Sequence, residues 1–131
     1  MDFLLLNCGL HDIKLDADDR QQVPPGEYET NLCAILSEVE STVQQVVWVR
    51  TTPVIDGIHN TRCEFRRRAA DVAIYNEIAD RIMLEARVPL IDLHGFTVNF
   101  LPDGFCDHVH YTGKVRMLQG AFIAGALLSL N

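Results

Sequence analysis

Residues 2–12 read DFLLLNCGLHD, an almost continuous apolar run that ends in a polar segment containing a glycine. An apolar run without polar alternation is typical of a strand covered on both faces, as in a parallel sheet. We therefore predict a buried strand over Asp2–Asn7 and a turn at Gly9. Ligand sites of open α/β sheets lie beyond the carboxyl ends of the strands, so this turn is a candidate part of a site.

Strand-like runs and helical patterns alternate along the rest of the chain. Apolar spacing predicts helices over residues 27–42, 64–87 and 112–130, and short apolar runs predict strands over 46–49 and 89–93. The segments 14–26, 54–63 and 94–111 are interpreted as loops. The order β-α-β-α-β-α indicates an α/β fold with parallel strands joined by right-handed crossovers.

Length and composition favour a single globular domain. The chain has 131 residues, 48% of them hydrophobic, and a net charge of −7. This charge argues against nucleic acid and against an anionic membrane surface, because both attract basic faces. No secretory leader pattern and no CxxC spacing are found, so we expect a cytoplasmic protein with four reduced thiols, of which Cys8 and Cys33 are buried.

All five histidines fall in the segments that follow the three predicted strands. His11 follows the first, His59 the second, and His94, His108 and His110 the third. Because the carboxyl ends of parallel strands share one edge of a sheet, we expect these segments to meet at one site. His59 and His94 are interpreted as ordinary loop residues.

Asp107 and His110 are the strongest catalytic candidates. A carboxylate and an imidazole three positions apart can supply the orienting acid and the base of a hydrolase. His108 and His110 also form an HxH pair that could bind a transition metal together with Asp107. Alternatively, Asp107 caps the turn before the last helix and both histidines are solvated.

The residues after the first strand suggest a second part of the site. Gly9 allows a tight turn or a close approach of substrate. His11 could donate a hydrogen bond to an oxyanion, helped by the backbone N–H groups of the turn. Asp12 is interpreted as a carboxylate that stabilises this oxyanion and substrate-binding segment.

Two of these segments resemble sequence blocks of the SGNH hydrolases, the GDSL-type esterases and lipases. Residues 9–12, GLHD, are similar to the family's Gly-x-Asn-Asp block, and residues 107–110, DHVH, are similar to its Asp-x-x-His block. Residues 47–53, 75–76 and 89–93 fit the strand, helix and strand between them. The resemblance covers essentially the whole chain. It implies a three-layer, flavodoxin-like α/β/α fold, in which this chain matches strands 3, 4 and 5 of the order 2-1-3-4-5.

The resemblance also implies roles. Asp107 would orient His110 as the base, while Gly9, His11 and Asp12 would serve the oxyanion and the substrate, a small-molecule or carbohydrate ester, without a cofactor. His11 stands where the family has Asn.

The family's Gly-Asp-Ser nucleophile block has no counterpart here, because the serines (Ser37, Ser41 and Ser129) fall in predicted helices. Residues 1–131 are therefore expected to be one SGNH hydrolase-like domain that lacks its N-terminal part and is inactive alone.

Two further functions stay open at this point. One is a metal-dependent hydrolase that uses Asp107, His108 and His110. The other is a non-catalytic module that pairs with itself or with another chain through an exposed first strand, since an unpaired strand edge is a template for such pairing.

Overall fold

The computed structural model describes residues 3–130, which contain three strands and five helices. In chain order these are β1 (Phe3–Leu6), α1 (Pro25–Glu40), β2 (Gln45–Val49), α2 (Asp56–Arg62), α3 (Ala69–Glu85), β3 (Leu90–Ile91), α4 (Leu93–Val98) and α5 (Gly113–Leu128). Within these residues, no helix combines the length and the apolar character needed to cross a bilayer.

The three strands form one parallel sheet with the order β1-β2-β3. Leu6 pairs with Trp48 across the first junction, and Val49 pairs with Ile91 across the second. Since all strands run in the same direction, their carboxyl ends lie at one edge of the sheet. The predicted α/β fold is therefore confirmed.

The central strand β2 is buried on both faces. Val46 and Trp48 belong to the core between the sheet and helices α1 and α3. Val47 and Val49 point to the other face, where they pack with Ile91 and partly buried side chains of α5. Successive side chains of a strand point to opposite faces, so this continuous apolar run produces a three-layer arrangement.

The first strand differs from its predicted form. Asp2 lies outside the described residues, and β1 is an edge strand whose Leu5 is 43% exposed. It is therefore not a strand covered on both faces. The apolar pattern alone could not reveal this, because burial of an edge strand depends on what lies beside it.

Three predicted segments also differ in their boundaries. The segments at 54–63 and 94–111 are not wholly loops, since they contain α2 and α4, and the long helix begins at Ala69 rather than at residue 64. His59 and His94 lie in these two short helices and are not loop residues. Both helices are too short to show a clear apolar period.

The four cysteines are free, but their burial differs from the prediction. Cys8 is only partly buried and Cys33 is exposed. Cys33 lies on α1, one position after the buried Leu32, and it faces away from the core.

A buried amide holds the end of β2 in position. The Asn76 side chain on α3 accepts a hydrogen bond from the Thr51 backbone N–H (2.9 Å) and donates one to the Thr51 carbonyl oxygen (2.9 Å). His94 Nδ1 donates a second hydrogen bond to the same carbonyl oxygen at 2.9 Å. The backbone just beyond β2 is thereby paired where the sheet offers no partner.

We expect Asn76→Ala to lower the free energy of unfolding by about 1–3 kcal/mol, because the buried Thr51 N–H loses its only partner while the carbonyl keeps His94. Urea unfolding measures this change. The matched control is Asn31→Ala on the exposed side of α1, which should change stability by less than about 0.5 kcal/mol. Equal effects of the two substitutions would contradict this role of Asn76.

Candidate functional site

A cleft of about 530 Å³ opens at the carboxyl edge of the sheet. Its wall combines the ends of β1 and β2 with the segment before α5 and one side of α5. The wall is mostly apolar, with Leu5, Leu10, Leu93 and Ile123 among its residues, and His110, Arg50 and Arg116 add polar groups. Residues that follow each of the three strands contribute to this wall, and His110 is the one histidine among the described residues that line it.

The segment that carries Asp107 and His110 is a closed, anchored loop. Cys106 N–H donates to the His110 carbonyl oxygen (2.8 Å), and Thr112 N–H donates to the Gly104 carbonyl oxygen (2.8 Å). Val109 is buried in the core beneath it. Thr112 is the N-cap of α5, and its side chain accepts a hydrogen bond from the Val115 N–H.

Asp107 and His110 are hydrogen-bonded to each other. His110 Nδ1 lies 2.6 Å from Asp107 Oδ2, while Asp107 Oδ1 accepts the backbone N–H groups of Val109 (2.8 Å) and His110 (2.7 Å). An ionised carboxylate only accepts, so Nδ1 carries a proton, and in the neutral imidazole Nε2 is then the nitrogen with a free lone pair. This is the tautomer that a general base requires.

The charge of Asp107 is stabilised mainly by backbone groups. The N–H groups of Val109 and His110, followed by the His110 side chain, hold the pKa of Asp107 well below its usual range. The same three hydrogen bonds also make Asp107 the residue that shapes this turn. The turn-capping and catalytic interpretations of Asp107 are thus compatible in one geometry.

The glycine turn after β1 borders the same cleft, but through other residues than expected. Asn7 and Leu10 line it, whereas Gly9, His11 and Asp12 do not. His11 is exposed. Asp12 lines a separate cavity of about 360 Å³ on the side of α1.

Hydrogen bonds to distant segments hold this turn. The Asn7 side-chain amide donates to the Val49 carbonyl oxygen (2.7 Å), tying the end of β1 to β2. Arg67, which is buried, donates from Nε to the Leu10 carbonyl oxygen (2.7 Å). Sequence analysis did not identify Asn7 or Arg67, because their partners are backbone atoms distant in sequence.

A second group of polar side chains lies under the loop of Asp107. His59 is fully buried, and its Nδ1 lies 3.1 Å from Nδ1 of His108. Burial and, after it, the Arg67 guanidinium lower the pKa of His59. Phe65 packs beside both imidazole rings.

The metal site considered from sequence does not form as expected. His110 pairs with Asp107, whereas His108 turns toward His59. Among residues 3–130, the one group suited to a metal is instead His59, Cys63 and His108. The HxH spacing was misleading because two loop residues that are two positions apart, such as His108 and His110, need not point to the same side.

We expect Gly9→Ala to destabilise the protein by about 1–3 kcal/mol. Gly9 has φ of +130°, and an added Cβ would lie 3.1 Å from Thr51 Oγ1. The control is Gly120→Ala in α5, where nothing lies within 4 Å. That substitution should stabilise by about 0.5–1 kcal/mol, since Gly is unfavourable inside a helix. Thermal unfolding separates the two signs, and a stabilising Gly9→Ala would contradict the role of the turn.

Comparisons with known proteins support the fold. No family model and no curated protein matches the chain. Solved structures do match. One is a lipase/acylhydrolase from Enterococcus faecalis, with 20% identity and a TM-score of 0.71 over 92% of this chain and 57% of that chain. Another is an acetylxylan esterase from Geobacillus stearothermophilus, with 16% identity and a TM-score of 0.69 over 98% of this chain and 58% of that chain.

An α/β hydrolase from the Lake Arreo metagenome also matches (20% identity, TM-score 0.59, 86% of this chain and 49% of that chain). The chain thus spans about half to three-fifths of the length of these hydrolases. At this identity the likeness is one of fold, and it confirms that residues 3–130 adopt the predicted three-layer α/β/α fold, which these hydrolases share.

Proposed function

We propose that this chain supplies the acid–base part of an ester hydrolase site, with Asp107 and His110 as its catalytic dyad. The observation that carries the proposal is the 2.6 Å hydrogen bond between Asp107 Oδ2 and His110 Nδ1, on a residue that lines the cleft at the carboxyl edge of the sheet. In the reaction, Nε2 of His110 takes the proton of an attacking hydroxyl and later gives it to the leaving alcohol. Asp107 orients the ring and stabilises the imidazolium.

The proposed substrate is a small-molecule or carbohydrate acyl ester. The apolar residues of the cleft suit an acyl group, and Arg116 offers donors to a polar alcohol part. Arg50 is held by ion pairs with Asp80 and Asp92. The names of the structural neighbours, a lipase/acylhydrolase and an acetylxylan esterase, support the same substrate class.

The oxyanion is assigned to the turn after β1, with Gly9 allowing its conformation and His11 as the side-chain donor. Asp12 is proposed to stabilise the conformation of this substrate-binding segment. His11 is exposed and outside the wall of the cleft, so this role requires its side chain to turn toward bound substrate.

The nucleophile is proposed to come from chain outside these 131 residues. Ser37 lies in α1, and Ser41 and Ser129 cap the ends of α1 and α5, so none of them lines the cleft. In the SGNH strand order, the nucleophile-bearing strand lies beside the strand that β1 matches, and the outer edge of β1 is unpaired within residues 3–130. Pairing of this edge with a second copy or another chain also stays a prediction.

For the 131-residue chain alone, we expect no turnover of p-nitrophenyl acetate beyond that of a His110→Ala variant, because a base without a nucleophile does not form an acyl-enzyme. Initial rates at several protein concentrations test this. If the 131-residue chain turns over the ester and His110→Ala abolishes this activity, the proposal that the nucleophile lies outside these residues is wrong. The proposed roles of Asp107 and His110 would then still hold.

A longer polypeptide, in which an added N-terminal strand ends in Gly-Asp-Ser, should hydrolyse p-nitrophenyl acetate. There, Asp107→Asn and His110→Ala should each lower kcat by on the order of 10²–10⁴-fold. Asp103→Asn, an exposed aspartate at the start of the same segment, is the control and should leave kcat unchanged. Full activity of the Asp107 and His110 variants would refute the proposed dyad.

A further inference from the structure

We propose that His59, Cys63 and His108 form a binding site for a single zinc-type transition-metal ion, distinct from the Asp107–His110 pair. One potential ligand atom from each of the three residues lies within 4.8 Å of the others. Imidazole nitrogen together with thiolate sulfur is the donor set that Zn²⁺ prefers, whereas Ca²⁺ and Mg²⁺ take oxygen ligands.

The distances suit a tetrahedral ion. Zn–N bonds of about 2.0–2.1 Å separate two ligand nitrogens by roughly 3.3 Å in a regular tetrahedron. Nδ1 of His59 and Nδ1 of His108 are 3.1 Å apart. The two nitrogens are thus already near the separation that one ion requires, and both rings would turn so that their lone pairs point to it.

Burial removes water from one member of the site. His59 is 0% exposed, so its ring depends on protein groups or a bound ion for polar contacts. Its Nδ1 faces His108, and a metal ion bound there would take the place of this contact. Metal binding would also relieve the close contact of two imidazoles that otherwise depends on matched tautomers.

The three residues come from two separate chain segments. His59 lies in α2, and Cys63 is the extended residue that directly follows the last turn of this helix. His108 belongs to the loop 49 residues later in the chain. An ion at this site would cross-link α2 to the loop that carries Asp107 and His110.

The donor set also balances part of the charge of the ion. A thiolate offsets one of the two charges of the ion. Three protein ligands leave a fourth position for water, the arrangement of open zinc sites.

Titration of the purified chain with Co²⁺ tests the proposal, because a cobalt–thiolate bond gives a charge-transfer absorption that oxygen and nitrogen ligands do not. We expect one equivalent of Co²⁺ with this band, displaced by Zn²⁺. Cys63→Ser should abolish the band, and His108→Ala should weaken binding by more than about 100-fold, since losing a mere supporting partner of a ligand costs about 10–100-fold.

The matched controls are Cys33→Ser and His11→Ala, which remove an exposed thiol and an exposed imidazole outside the cluster. Both should bind like the unaltered chain. His59 is fully buried, and substituting it could disturb folding, so only the two partly exposed ligands, Cys63 and His108, are substituted. Circular dichroism checks that each variant folds. The proposal is overturned if no thiolate band develops, or if Cys63→Ser and Cys33→Ser bind Co²⁺ equally.

Discussion

The burial of β2 on both faces is the constraint on which the rest of the structure depends. Val46 and Trp48 hold α1 and α3 against one face, and Val47 and Val49 hold α5 against the other. A five-residue strand thereby joins both cores, and its carboxyl end is the point where all later site segments arrive. Because its backbone pairs on both sides in parallel register, the ends of β1 and β3 lie beside it at the same edge.

Polar side chains fix the backbone conformation at this edge, where the chain leaves the sheet. Asn7, Asn76 and Arg67 each bond to backbone atoms of another segment, and together they hold the turn after β1 and the segment after β2. Buried backbone N–H and C=O groups need hydrogen-bond partners, so beyond the last strand pair these side chains take the place of the hydrogen bonds between strands. The cleft is therefore bounded by backbone whose conformation is held before any ligand binds, which lowers the entropic cost of positioning a substrate.

The loop before α5 combines two separate interaction patterns. Its exposed side holds the Asp107–His110 pair, in which a carboxylate bonded by backbone N–H groups orients an imidazole. Its inner side presents His108 to His59 on α2. The proposed ester chemistry and the proposed metal site thus share one short segment but use different side chains. An ion on His108 would restrain the backbone on either side of it, including the two residues of the dyad.

Much of this organisation followed from local sequence. The apolar runs and helical periods predicted three parallel strands and the long helices, because burial on both faces leaves a strong and local pattern. The spacing of Asp107 and His110 predicted their pairing, since three positions within a turn allow direct contact. The open edge of the first strand was also foreseen, but the exposure of Leu5 on it, the short helices α2 and α4, and the burial of His59 were not predicted.

Those features depend on contacts between distant segments, which only the tertiary structure decided. Cys33 is exposed although its residue type favours burial, and His59 is buried although its type favours the surface. His108 meets His59 rather than His110, because the direction of a loop side chain is set by what packs beneath it. The residues thus determined which chemical groups reach this edge of the sheet, and the packing of α2 under the final loop determined which of them touch.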